Sequence, residues 1–127
     1  MQKQIQAVQK FHETFGLGVG YEMKASLGTK INNLRFELMR EENEEYLEAV
    51  NDNNLFEIAD ALGDMLYILC GTIVEHGLQH KIEEVFDEIQ RSNMSKLGVD
   101  GKPIYREDGK VLKGSNYFKP NFEEILK

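Results

Sequence analysis

Between Ile31 and Glu75 the apolar residues recur at intervals of three and four, the repeat of a helix face, yet carboxylates occupy places in that pattern where leucine would be ordinary. They fall in two segments, Glu41-Glu42-Asn43-Glu44-Glu45 and Glu57-Ile58-Ala59-Asp60-Ala61-Leu62-Gly63-Asp64. Acids held near one another and partly buried repel and are poorly solvated. They must be protonated, paired with bases, or neutralised by a bound cation. The pattern therefore predicts a helical fold with a divalent-cation site built into it.

At about 100° per residue with Leu34 as origin, Ile31, Leu38, Tyr46 and Ala49 define an apolar arc that also contains Glu42 and Glu45, with Glu41 on its edge. Glu37, Arg40 and Glu44 fall outside it, so Glu44 reads as a solvated surface residue. On the following helix Glu57 and Asp64 share a flank, with Asp60 one turn before Asp64. Two antiparallel helices joined by the short turn Asn51-Asp52-Asn53-Asn54 would bring both sets of acids together. The competing explanations are a solvated acidic face for Glu41, Glu42 and Glu45, and ordinary salt bridges for Asp60 and Asp64.

The rest of the chain extends the helical reading. Ile5, Val8, Phe11 and Phe15 mark an amphipathic helix over residues 2–15, ended by Gly16, and a glycine-rich loop follows to about residue 29. That loop lacks a preceding strand and a closing Gly-Lys-Ser/Thr, so it reads as a plain loop rather than a phosphate cradle. A second helix runs to about residue 50. A third, capped by Asn54, covers residues 55–75 with Ile58, Leu62, Met65, Leu66, Leu69 and Ile73 on one broad face. A fourth, over about residues 79–93, is expected to bury Ile82, Val85, Phe86 and Ile89. The expected architecture is an all-α four-helix bundle in a single domain, with a helical core over about residues 2–95 and an irregular basic arm over 96–127. A hairpin is expected around Asp108-Gly109.

Composition narrows the partners. A formal charge of −7 argues against a nucleic-acid polymer as the main ligand, and no apolar run reaches the length of a membrane span. The polar start has no apolar signal core and the lone Cys70 forms no internal disulfide, which together point to a cytoplasmic protein. His12, His76 and His80 lack metal-ligand spacing and read as ordinary helix or helix-end residues. Oxygen donors in this number suit Mg²⁺, with Mn²⁺ as a substitute, and such a site is ordinarily completed by substrate phosphates. The basic arm then supplies the substrate's partners: Lys96, Lys110 and Lys113 for phosphates, against a reading as plain surface charge, and Tyr105 or Tyr117 to stack on a base.

Glu-Glu-x-x-Glu on one helix, followed by an acidic motif leading into an apolar helix, resembles the all-α nucleoside triphosphate pyrophosphohydrolases. That group contains MazG, the dimeric dUTPases and phosphoribosyl-ATP pyrophosphohydrolase. The likeness covers residues 31–76, and Arg91-Ser92-Asn93-Met94-Ser95-Lys96 with the Asp-Gly-Lys repeats and Asn116-Tyr117 resembles the C-terminal segment of the phosphoribosyl-ATP pyrophosphohydrolase-like branch. It implies Mg²⁺-dependent cleavage of a nucleoside triphosphate between the α and β phosphates, in a homodimer or homotetramer. It implies Glu41, Glu42, Glu45 and Asp64 as metal ligands, with Asp60 as second carboxylate and Glu57 in reserve. Glu41 or Glu42 would be free to act as base, and Asn93 joins the substrate-binding set. The family's second motif is Glu-x-x-Asp, and here a register ending at Asp64 puts Ala61 at the Glu position, so the ligand set from this helix stays open. Alternatives are phosphoribosyl-ATP hydrolysis and a non-catalytic acidic module that binds nucleotides or a basic protein.

Overall fold

The computed structural model describes residues 1–127 and contains four helices and no strand: α1 (Gln2–Phe15), α2 (Thr29–Asn51), α3 (Leu55–Glu75) and α4 (Ile82–Met94). The all-α expectation holds, and three helix boundaries follow from local chemistry that the sequence displays. Gly16 closes α1 in the left-handed region at φ 72°, where a side chain would be strained. Asn54 caps α3 by accepting a hydrogen bond from the Glu57 amide at 3.2 Å. Asn53, the only non-glycine residue at positive φ (52°), lets the chain reverse within the three residues between α2 and α3.

The chain forms two compact units, Met1–His80 and Lys81–Lys127. In the first, α1 and α2 each pack on α3. Its core is small: Ile5, Val8, Ala49, Ala61, Cys70, Ile73 and Val74 are buried, and full burial of a side chain such as Ile5 contributes about 1.5–3 kcal/mol. Several residues expected in the core are instead open. Leu62, Leu66 and Leu69 are 42–49% exposed, because α1 and α2 together cover only the Ala61, Cys70, Ile73 and Val74 side of α3. Phe11 and Phe15 stack on each other and Phe11 meets Tyr67 edge-on, yet Phe15 stays 66% exposed.

The glycine-rich loop is a strap rather than a cradle. Gly20 donates to the Val74 carbonyl and Lys24 to that of His76, while the Gln79 side chain donates to Gly20 O at 2.9 Å. A Cβ on Gly20 would stand 2.6 Å from backbone atoms of Glu75 and Gly77, so glycine is what allows the strap to lie against the end of α3. These contacts also explain why α4 begins at Ile82 rather than 79: Gln79 is 4% exposed and committed to Gly20 and Gln2.

In the second unit α4 is followed by turns. Ser92 and Ser95 tie the helix end to Phe118, and the Arg91 guanidinium lies 4.3 Å over the Phe118 ring. The expected hairpin is a single antiparallel bridge between Tyr105 and Val111, with Gly109 at φ 89° in its turn. Phe86 and Ile89, expected to be buried, are 65% and 39% exposed, since the short turns of this unit offer too little apolar surface to cover them.

Candidate active site

Helices α2 and α3 present two polar clusters along one shared interface. Nearer the turn lie the acids. Glu42 is partly buried, and its Oε2 is enclosed without a hydrogen-bond partner. Its proton affinity is pushed up to about 7, first by burial, then by a hydrogen bond with the Glu45 carboxyl and by its charge, and then by the charges of Asp64 and Asp60. Three acids from two helices, Glu45, Asp60 and Asp64, thus act on Glu42. The inward direction expected for Glu42 is observed. Glu45 is exposed overall although its carboxyl reaches Glu42, so the apolar arc places its backbone better than its tip. Glu41 is exposed at the edge of the group.

Glu44 and Glu37 belong to a different arrangement. Both ion-pair with Arg40 on the open side of α2, at 2.6 Å and 2.5 Å, which is the surface role expected for Glu44. Glu57 does not join the three acids acting on Glu42. It lines an adjoining cavity of about 350 Å³ with Glu45, Glu48, Ala49, Asp52 and Asp60. Glu48 and Asp52 were not anticipated there, because their place depends on the fold of the turn and not on helix period.

No three acidic, histidine or cysteine side chains are closed around a single point. The donor set nonetheless fits a hard cation. Its atoms are all oxygens, they come from two helices, and one of them is a buried acceptor with nothing to accept from.

Two turns along the same interface lies the second cluster, absent from the sequence reading. Arg35 of α2 is buried, and donates to Ile68 O at 2.8 Å and Thr72 Oγ1 at 3.1 Å, with its Nε 3.2 Å from Glu75 Oε2. Burial lowers its hold on the proton and Glu75 raises it again, but guanidinium stays charged throughout. His12 of α1, 3% exposed, has Nδ1 at 2.8 Å from Gly18 O. A Cβ on Gly71 would stand 2.7 Å from both Arg35 Nη2 and His12 Nε2, so α3 narrows where side chains of α1 and α2 meet. His12 is therefore a helix residue, as expected, and one packed into the core. A signal for Arg35 existed: by the same helical count it lies inside the apolar arc, at about 100° between Glu42 and Tyr46, though long side chains often reach solvent from such places.

In the second unit Asn93 and Lys96 line a cavity of about 310 Å³ with Met94, Leu97, Pro103 and Val111. Lys110 is exposed on the turn after Asp108, and Lys113 stands 4.8 Å over the Tyr117 ring, so one candidate phosphate ligand covers the candidate stacking ring. Tyr105 is 61% exposed.

Residues 8–93 match the phosphoribosyl-ATP pyrophosphohydrolase family. The chain belongs to that family. It stands within the all-α nucleoside triphosphate pyrophosphohydrolases, as residues 31–76 had suggested. An uncharacterized protein of Acanthamoeba polyphaga mimivirus is 30% identical over 127 residues, covering 96% of this chain and 46% of the viral protein, so the chain spans about half the length of that relative. A crystal structure of a candidate NTP pyrophosphohydrolase from Exiguobacterium sp. 255-15 is 26% identical, covers 92% of this chain and 88% of its own, and superposes with a TM-score of 0.47. No helix is long and apolar enough to cross a membrane.

Proposed function

We propose that the protein is a Mg²⁺-dependent nucleotide pyrophosphohydrolase that cleaves a nucleoside triphosphate between its α and β phosphates, releasing a monophosphate and pyrophosphate. The observation carrying this reading is Glu42, a carboxyl with a buried unpartnered oxygen set among Glu45, Asp60 and Asp64. Family membership supplies the reaction class.

Glu41, Glu42, Glu45 and Asp64 would hold the cation, with Asp60 beside them. Bound there, Mg²⁺ or Mn²⁺ supplies charge neutralisation on the polyphosphate and a more acidic water. The chain's own task is to hold that water and take its proton. Whichever of Glu41 and Glu42 the cation leaves free is assigned to take that proton. The water oxygen bonds to phosphorus, the bridging oxygen leaves with pyrophosphate, and the water's proton passes to the carboxylate. Asn93 and Lys96, which share a cavity, and the exposed Lys110 and Lys113 are assigned to the substrate's anionic groups, with Tyr117 near its base.

Phosphoribosyl-ATP is the second substrate reading, favoured by the family match. A homodimer or homotetramer is favoured by the open apolar side of α3, where Leu62, Leu66 and Leu69 are joined by Phe56 at 87% exposure. A reducing, cytoplasmic setting suits the free, buried Cys70. Pyrophosphate release measured with Mg²⁺ across all NTPs, dNTPs and phosphoribosyl-ATP decides among these. Turnover of one class assigns the substrate, and binding without turnover of any of them leaves an acidic nucleotide-binding module. Sedimentation of the same preparation at the mass of one chain would remove the oligomer.

A further inference from the structure

The two clusters on the α2/α3 interface obey one register. The helices run antiparallel from the turn at residues 52–54, so residues equidistant from it face each other; Arg35 meets Thr72, and Glu42 lies in the field of Asp64. Along α2 the step from Arg35 to Glu42 is about 10 Å, and along α3 the step from Thr72 to Asp64 is about 12 Å, at 1.5 Å per residue. The guanidinium is thus fastened to the same two helices that carry the acids, two turns from them.

What it is fastened to matters. Ile68 O, Thr72 Oγ1 and Glu75 Oε2 span two turns of α3, and Gly71 between them leaves the space that the guanidinium and His12 occupy. A slip of α2 past α3, or a splaying of the pair, breaks all three contacts together. The opposing force is at the acid end, where the charges of Asp60 and Asp64 on α3 act against Glu42 on α2 and only small residues, Ala49 and Ala61, are buried near them.

We propose that Arg35 is a positioning residue for the carboxylate site: it holds α2 and α3 at the spacing and register that set the acids of the two helices near one another, where a divalent cation would bind. The inference rests on the metal-dependent reading above and names a residue outside the acids. Arg35 touches neither cation nor substrate in this scheme. It acts through the helices.

The test is Mg²⁺ titration calorimetry on the full chain, with melting temperature and pyrophosphate release followed in parallel. Arg35→Met should weaken Mg²⁺ binding about tenfold, the lower range for loss of a supporting residue behind metal ligands. It should shift the Mg²⁺ needed for half-maximal activity by the same factor, with kcat largely restored at saturating Mg²⁺. The double variant Arg35→Met/Glu75→Gln removes the buried charge that the single change orphans. It should regain melting temperature without regaining Mg²⁺ affinity, which a purely stabilising role would not produce. Arg35→Lys should recover part of both. If the single variant does not fold, the double and lysine variants carry the comparison. Wild-type Mg²⁺ affinity in the double variant overturns the proposal and leaves the catalytic reading standing, whereas absence of Mg²⁺ binding by the wild-type protein overturns both.

Discussion

Arg35 and Glu42 sit on the same helix and face the same neighbour, yet their surroundings are built on opposite rules. Around Arg35 the charges are matched: the guanidinium lies against Glu75, and it donates to Ile68 O and Thr72 Oγ1. Around Glu42 the charges that act on it all have the same sign, so its enclosed Oε2, unlike that of Glu75 beside Arg35, has no opposite charge against it. Folding alone accounts for the first cluster, since buried charge is tolerated when paired. It does not account for the second, because a chain selected only to fold would replace Glu42 with leucine and gain stability. The unmatched cluster is where the free energy of the proposed cation would enter.

The largest effect that could break this contrast lies in Glu42. Glu42→Gln keeps the shape, removes the base and removes one negative oxygen. Pyrophosphate release should fall by about 10²–10⁴-fold, the range for losing a general base, while the melting temperature holds or rises. Full activity in this variant would remove Glu42 from the mechanism and with it the assignment of Glu41, Glu45 and Asp64 around it.

The matched cluster should respond the other way. Glu75→Ala leaves the Arg35 guanidinium buried without its counter-ion, and should cost about 3 kcal/mol of stability, the lower range for breaking a buried pair. Urea unfolding gives that number. A loss near zero would mean that the two helix-side acceptors suffice for Arg35 and that the pairing rule is not what distinguishes the clusters.

The sequence reached these two clusters unequally, and the reason is physical. Helix period was enough to place Glu42 inward and Glu44 outward, because along one helix direction follows from spacing. It was enough for the four helices, whose ends are marked by Gly16, Asn54 and the residues around Gly77. It did not reveal the Arg35 cluster, which depends on side chains from three helices meeting at Gly71, a coincidence of tertiary structure with no local spacing. Nor did it foresee that Leu62, Leu66, Leu69 and Phe86 would remain open, since an apolar stripe is the same whether its cover comes from its own chain or from another. Nor could spacing show that the charges of Asp60 and Asp64 act on Glu42 while Glu57 and Asp60 line an adjoining cavity, since both depend on how α2 and α3 pack.

A smaller effect follows from protonation. The Glu42 carboxyl is held at about 7 in the folded protein against an ordinary value of 4.5, so between these values the folded state binds more protons than the unfolded chain. Stability of the metal-free protein should therefore fall as pH rises from about 4.5 to about 7 and level off above, with the sign fixed by the raised value. Glu42→Gln should flatten that slope. Subtracting the two melting curves isolates Glu42 from Glu88 and Asp108, whose lowered values act in the opposite sense at more acid pH. A wild-type curve parallel to that of the variant would show that burial and Glu45 do not raise Glu42 as described.

The smallest effect belongs to a third charged group on the same helix, and it tests whether pairing or burial makes Arg35 matter. Arg40 is better paired by count of carboxylates than Arg35, being bound to Glu37 and Glu44 at once, but all three side chains are 45–62% exposed. Water screens those pairs and already solvates their members, so forming them in the fold replaces one good environment with another. Arg40→Ala should leave the melting temperature and pyrophosphate release at wild-type values in moderate salt. A loss comparable to that of Glu75→Ala would mean that ion pairing stabilises α2 wherever it occurs, and the distinction between the clusters would then reduce to sign of charge alone. If only the buried pair responds, desolvation is the quantity that separates them. The same quantity raises Glu42, so one physical term would govern both the rigid end and the reactive end of the α2/α3 interface.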